Sequence, residues 1–169
     1  MQVSISKRTL ATVVVAVVVV AATWLLVNWL VVTDTKRIDR MLEEAARAVE
    51  RNDIDYIVDN CLDPEFKFAT LDREGTRQWM KDAVQRFDVK GLRKYSNEVT
   101  LNGDSAHATM RAFVSGGRLP GDQRLDWEID LHKRGGEHWG IRGVRIFYFL
   151  MGERRELDPE LILHQGPEF

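Results

Sequence analysis

Four polar side chains share a face of the C-terminal half with residue types suited to ligand chemistry: Tyr95, Asn97, Arg142 and Tyr148. Their common direction follows from strand register. Asn102-Gly103 sits between two alternating runs, a strong hairpin signal, because both residues tolerate the positive φ of a type I′ turn. Taken as a two-residue loop, it sets Val99 opposite Ala106, Asn97 opposite Ala108 and Tyr95 opposite Met110. Gly135-Gly136, treated likewise, sets Trp127 opposite Val144, Leu125 opposite Ile146 and Ile129 opposite Arg142. The shared face is otherwise apolar and should meet the core. An inward arginine needs a carboxylate, a carbonyl or a ligand anion. Arg142 is therefore either an anion-orienting residue or a side chain that snorkels out at the sheet end or pairs with a helix acid. Tyr95 and Tyr148 read equally as core rings with a wet hydroxyl. Met110 and Trp127 complete the candidate pocket as apolar walls. The reverse face pairs Glu98 with His107, Lys94 with Arg111 and Asp126 with Arg145, and should be solvated.

Other chemistry is sought without success. His107, His132, His138 and His164 form no helical pair and have no carboxylate at ligand spacing, so no metal site is expected. No nucleophile elbow, Walker loop or dinucleotide glycine pattern occurs, and no cofactor is expected. Gly116-Gly117 and Gly135-Gly136 read as turn glycines. The single cysteine, Cys61, excludes an intrachain disulfide and reads as a small buried residue. A formal net charge of −2 with mixed signs gives no push toward nucleic acid.

The elements that must carry these residues follow in order. Residues 1–9 are a short leader with Lys7 and Arg8. Residues 10–32 are almost wholly apolar, and about 23 residues at ~1.5 Å each match the ~30 Å hydrocarbon core. The run is expected to be a transmembrane helix in contact with the lipid bilayer, with Trp24 and Trp29 toward its far end. A cleaved signal peptide is the rival, since Val20-Ala21-Ala22 resembles a small-residue cleavage site; the apolar run continues past it. Lys7 and Arg8 favour a cytoplasmic N-terminus with the domain translocated, whereas Lys36, Arg37 and Arg40 pull the other way. Thr33-Asp34-Thr35 offers N-cap residues for a helix carrying Ile38, Leu42, Ala45, Ala46 and Val49. Asp53 can cap a second, short helix that ends before Asp63-Pro64. Phe66 and Phe68 mark a short strand. Trp79, Met80, Ala83, Val84 and Phe87 form another amphipathic face. Four long strands follow, the domain spans residues 33–151, and residues 152–169 form a charged, exposed C-terminal tail.

The order helix, short helix, short strand, helix and four-strand meander resembles the NTF2-like superfamily, also called the SnoaL-like or cystatin-like α+β cone. "IDRMLEEAARAVERNDIDYIVDNCLDPEFKF" looks like its first helices and their step into a short strand. "REGTRQWMKDAVQRF" looks like its third helix. "YSNEVTLNGDSAHATMRAFVSG" and "LDWEIDLHKRGGEHWGIRGVRIF" look like its paired long strands. The resemblance implies helices packed on a curved antiparallel sheet of four long strands plus one short strand, with a pocket open at one end. It does not choose a function. The leading expectation is a non-catalytic, membrane-held module that binds a small ligand or protein partner, or forms a homodimer through the outer sheet face. The alternative is a small-molecule enzyme of isomerase, dehydratase or hydrolase type. That chemistry needs an inward acid or imidazole. The register sends Asp126, Glu128, Asp130 and His107 outward, leaving Asp55, Tyr56 and Asp59 as groups that could reach a pocket mouth.

Overall fold

The computed structural model describes residues 7–119, 121–136 and 138–159; the side chains of residues 7–15 and 28–32 lie outside the description. Contacts divide the chain into two compact units, Met1–Lys36 and Arg37–Phe169. In the first unit the chain is helical from Lys7 onward, within an assigned helix, α1, of Lys7–Glu50. Thr33-Asp34-Thr35 therefore lies inside a helix and does not start one. The described apolar side chains between Val17 and Val27 are 54–69 % exposed. Among the described residues no helix is long and apolar enough to cross a membrane. The side chains of 10–15 and 28–32, both ends of the expected span, are outside those residues.

The second unit begins on the last turns of α1. Ile38, Leu42, Ala46 and Val49 recur at helical spacing, and the first three are buried. A left-handed Asn52 (φ 57°) ends the helix. The Asp53 N–H donates to Ala48 O (2.8 Å) and the Asn52 N–H to Val49 O (3.0 Å), the paired bonds of a Schellman cap. Asp53 then caps α2 (Ile54–Tyr56), its carboxylate accepting from the Tyr56 N–H at 3.1 Å. A π-helical turn over Ile57–Cys61 follows and buries Ile57, Val58 and Cys61. Helix α3 (Arg73–Phe87) is capped by Asp72, which accepts from the Gly75 N–H at 2.8 Å, and ends at a left-handed Asp88.

The strands are β1 (Leu62–Lys67), β2 (Val89–Asn102), β3 (Ser105–Gly116), β4 (Gln123–Lys133), β5 (Trp139–Leu150) and β6 (Glu153–Glu156). The sheet order is β1-β5-β4-β3-β2, with β6 also paired to β5. The expected antiparallel sheet is thus corrected to a mixed one, because β1 runs parallel to β5. Parallel strands need a long crossover connection, and here α3 together with β2, β3 and β4 lies between the two in sequence. The segment expected to be an exposed tail supplies β6, and beyond it Leu157 and Pro159 are buried.

Both hairpins depart from the expected register. The first loop is Gly103-Asp104, with Asn102 opposite Ser105. Gly103 alone takes positive φ there (60°), at the first central position, which selects a type II′ geometry over type I′. The partner shifts by two residues, so the faces survive: Val99 meets Ala108, and Asn97 meets Met110. Near Tyr95 they do not survive, because pairing slips between Lys94 and Ser96 and leaves Tyr95 as the extra residue of a bulge. On β5 the slip falls between the pairs Asp130–Gly143 and Leu131–Ile141, so Arg142 is the extra residue. Ile129 opposes Val144, not Arg142.

Candidate functional site

The interior face of β2 to β5 and the inward stripes of α1 and α3 line an apolar cleft with two adjoining, partly open chambers. The first, of about 120 Å³, lies between Leu42, Ala45 and Ala46 of α1, Phe66 and Phe68, Thr76, Trp79 and Met80 of α3, and Met110, Trp127 and Ile129 of the sheet. The second, of about 140 Å³, continues past Val84, Phe87, Val114, Leu125 and Leu157. Val49, Trp79, Met80, Leu92, Trp127 and Ile146 border both. The described lining contains no carboxylate, imidazole or cation.

Each wall has a sequence cause. On α3, positions 76, 79, 80, 83, 84 and 87 fall on one face at spacings of three and four. On α1, the small Ala45 and Ala46 stand among larger Leu42 and Val49, and leave room where a bulkier residue would fill it. Trp79 stands edge-on to Phe68, with ring centroids 5.1 Å apart. Its indole N–H donates to Pro159 O at 2.9 Å, so the segment after β6 ties to the helix. Two polar atoms lack such a bond: Thr76 Oγ1 and Trp127 Nε1 are buried with no hydrogen-bond partner among the described residues.

Of the six residues expected to line a pocket, Met110 and Trp127 do so. Asn97 points inward but serves α1: its amide donates to Asp39 Oδ1, and Lys94 Nζ lies 3.4 Å from the same oxygen. Tyr148 is half-buried against the core and borders neither chamber. The expectation for Tyr95 is corrected: its bulge turns it outward, 71 % exposed, where it packs edge-on against Phe113. Arg142 is corrected for the same reason. Its guanidinium is exposed and pairs with Glu65 of β1. Thr76, Trp79 and the α1 alanines were missed as lining. Thr76 carried a readable signal, a lone hydroxyl on an otherwise apolar helical stripe.

Titratable groups gather elsewhere. Arg77, on the outer side of α3, contacts Asp59 (2.7 Å), Asp55 (2.5 Å) and Glu74 (2.9 Å), and these bonds raise its pKa. Asp55 also accepts from Lys81, which with Arg77 lowers its pKa. This network pins α3 to the α2 turn, so Asp55 and Asp59 are structural partners at the surface. Tyr56 donates to Glu44 at 3.0 Å. On the outer sheet face the two-residue shift replaces the expected pairs. Arg111 and Arg124 share Asp126, and Arg145 and Arg154 share Glu128. Bonding from Arg154 is the main cause that lowers the Glu128 pKa. His107 faces Asp130 at 2.8 Å. Among the described residues no group of three or more metal-ligating side chains converges.

No protein-family model and no curated protein matches this chain by sequence. Solved structures do match. An NTF2-like protein with a cystatin-like fold from Novosphingobium aromaticivorans aligns with a TM-score of 0.62 at 13 % identity, covering 78 % of this chain and 91 % of that one. A protein of unknown function with a cystatin-like fold from Nostoc punctiforme aligns at 0.57 and 11 % identity, covering 66 % and 88 %. Bd1075 of Bdellovibrio bacteriovorus aligns at 0.59 and 14 % identity over 69 % of this chain, which spans 41 % of that longer protein. These likenesses show the fold: an NTF2-like α+β cone with a curved mixed sheet.

Proposed function

We propose that the domain is a non-catalytic binding module that takes a small apolar ligand into the cone interior, and that residues 10–32 hold it at a membrane. The observation that carries the reading is the described lining, which is apolar apart from Thr76 and Gln123 and contains no carboxylate, imidazole or cation. General acid–base catalysis needs an acid or base within hydrogen-bond reach of the substrate. Among the described residues the acids Asp55, Asp59, Asp126 and Glu128 lie outside both chambers and pair with arginine or lysine. Binding is tested with 1-naphthylamine, a fluorescent probe small enough for the two chambers, on the full chain in lipid nanodiscs. Saturable energy transfer from tryptophan, at one probe per chain above the lipid background, is expected. A signal that rises only in proportion to lipid partitioning would sink the reading.

The membrane address rests on the apolar run of residues 10–32 and on the exposure of its described valines, leucines and Trp24. We place the domain outside the cytoplasm: Lys7 and Arg8 before the run support that orientation, against Lys36, Arg37 and Arg40 after it. A reporter fused after Phe169 should be active only when exported; activity confined to the cytoplasm refutes that topology.

A second reading, assembly through the outer sheet face, is favoured by four arginines that share two carboxylates beside exposed Tyr95 and Phe149. Arginine and aromatic residues are enriched at interfaces. Phe149→Glu should then convert a sedimenting dimer or complex to monomer, and an unchanged monomer in both proteins removes this reading.

A further inference from the structure

Arginine and phenylalanine alternate in one row across the outer face of the sheet. Arg93 of β2 stands opposite Phe113 of β3, Phe113 opposite Arg124 of β4, and Phe149 of β5 opposite Arg154 of β6. The β4–β5 register, with Leu125 opposite Tyr148, brings Arg124 beside Phe149. The row therefore crosses five adjacent strands. Its guanidinium groups lie on rings: Arg93 Cζ is 5.8 Å from the Phe113 centroid, Arg124 Cζ 4.5 Å from that of Phe149, and Arg154 Cζ 3.5 Å from that of Phe147. Tyr95, exposed on its bulge, adds a ring beside Phe113. The row holds three cations and no acid. In the rows next to it, Asp126 and Glu128 are each shared by two arginines, so neither neutralises its pair. A depression of about 200 Å³, bordered by Arg111, Asp126 and Arg154, adjoins the row.

We propose that this row docks an acidic, proline-rich segment of a partner protein, in polyproline II conformation, with a carboxylate at every third residue. The proposal deepens the outer-face assembly reading above and rests on it. Charge sets the sign of the partner, since an arginine fork held flat on a ring is shaped to receive a carboxylate. Spacing sets its conformation. Strands lie about 4.8 Å apart, so arginines on alternate strands repeat at roughly 9.6 Å. A polyproline II helix has three residues per turn at about 3.1 Å each, so side chains on one side of it repeat at roughly 9.3 Å. A β-extended peptide repeats on one side at roughly 6.7 Å and would miss every second contact. Phe113 and Phe149, between the arginines, offer flat apolar surfaces to proline rings, the usual way in which aromatic surfaces hold such helices. The pre-formed helix also has little conformational entropy to lose on docking. This chain has only four prolines and no such acidic repeat, so the occupant is a different protein and not a second copy.

The test uses the full chain in zwitterionic lipid nanodiscs and four fluorescent repeat peptides: Pro-Pro-Glu, Pro-Pro-Gln, Gly-Gly-Glu, and Pro-Glu with an acid at every second residue. Anisotropy titration should show saturable binding of the Pro-Pro-Glu peptide, at least about tenfold tighter than the other three. Raising salt from about 50 to about 300 mM should weaken it several-fold, because exposed charges are screened. Arg124→Gln, Arg154→Gln and Phe149→Leu should each weaken it about fivefold with an unchanged urea midpoint, whereas Arg142→Ala, at a side chain paired with Glu65, should leave it unaltered. Equal affinity for the Gly-Gly-Glu or Pro-Glu peptide overturns the polyproline spacing and leaves the assembly reading standing. Binding unmoved by all three row variants overturns the row as the site. Binding by none of the peptides overturns the proposal, and sedimentation then judges the assembly reading separately: a complex lost in Phe149→Glu keeps it, and a monomer in both proteins removes it.

Discussion

Arg142 shows how one side chain can look functional in sequence and be ordinary in structure. An inward arginine on an apolar face would demand an anion. A single-residue bulge instead turns it toward Glu65, in a pair whose side chains are 53 % and 70 % exposed. Such pairs contribute about 0–1 kcal/mol. Arg142→Ala should therefore lower stability by less than about 1 kcal/mol in urea unfolding and leave ligand affinity unchanged; a tenfold loss of affinity would restore it to the site. Cys61 is the opposite case, conspicuous only for being alone. It is buried, and burial, with a smaller contribution from the charge of Glu44, pushes its thiol from an ordinary 9.0 up to about 11. A raised pKa in the folded state means the protonated thiol is favoured there. The stabilisation is complete below about pH 9 and is lost as pH rises through about 11. Between pH 8 and 10.5 the native protein should lose roughly 2 kcal/mol more stability than Cys61→Ala. Parallel losses in the two proteins would show that Cys61 does not titrate in this way.

Gly116-Gly117 illustrates a constraint that lies between elements. Read as turn glycines, they would be needed for backbone freedom, yet neither takes positive φ. They are small because the end of β3 presses on the end of α3. A Cβ at Gly116 would lie 2.6 Å from Phe87 O, and the Gly117 N–H donates to Asp88 O at 2.9 Å. Here the turn that follows β3 satisfies carbonyls at a helix C-terminus. Gly116→Ala should cost about 1–3 kcal/mol, by forced displacement of backbone, measured as a lower urea midpoint with an unchanged slope. The same pair marks the limit of what sequence reading could reach. Helical faces such as Ile38-Leu42-Val49 and Trp79-Met80-Val84 were legible, because burial imposes a 3.6-residue period on them. The hairpins were legible too. Their registers were not, because Asn102-Gly103 is compatible with either turn type and only packing selects one. Bulges at Tyr95 and Arg142 were invisible, since an inserted residue breaks the two-residue period without a composition signal. The parallel β1–β5 pair and β6 depend on contacts distant in sequence. For the site the consequence was specific: apolar walls such as Met110 and Trp127 were found, whereas polar residues near bulges were misassigned.

The cone as a whole holds its cavity against the tendency of protein interiors to close-pack. Empty apolar volume forfeits dispersion contacts, and residual cavity costs about 24 cal/mol per Å³ in a well-studied series of core truncations. A domain under selection only for stability would fill the space, and the simplest means is at hand, since Ala45 and Ala46 of α1 border the first chamber. Retaining alanine there, below Trp79 and Trp127, is consistent with the space being kept for an occupant. Ala46→Leu adds about three methylene-sized groups to that chamber without touching a hydrogen bond or charge. If the chamber exists to receive a ligand, the two properties should move in opposite directions. Cavity filling commonly adds about 0.5–2 kcal/mol. For a domain of this size that is roughly 2–10 °C in Tm. Affinity for 1-naphthylamine should fall at least about tenfold, because the added side chain occupies its volume. Differential scanning calorimetry and the tryptophan energy-transfer titration, run on the same full-chain preparation, read both quantities. A variant that is destabilised would mean that the chamber is already closed in solution. One that is stabilised with undiminished affinity would mean that the ligand binds elsewhere. Opposite movement is the outcome that ties the under-packed interior to binding.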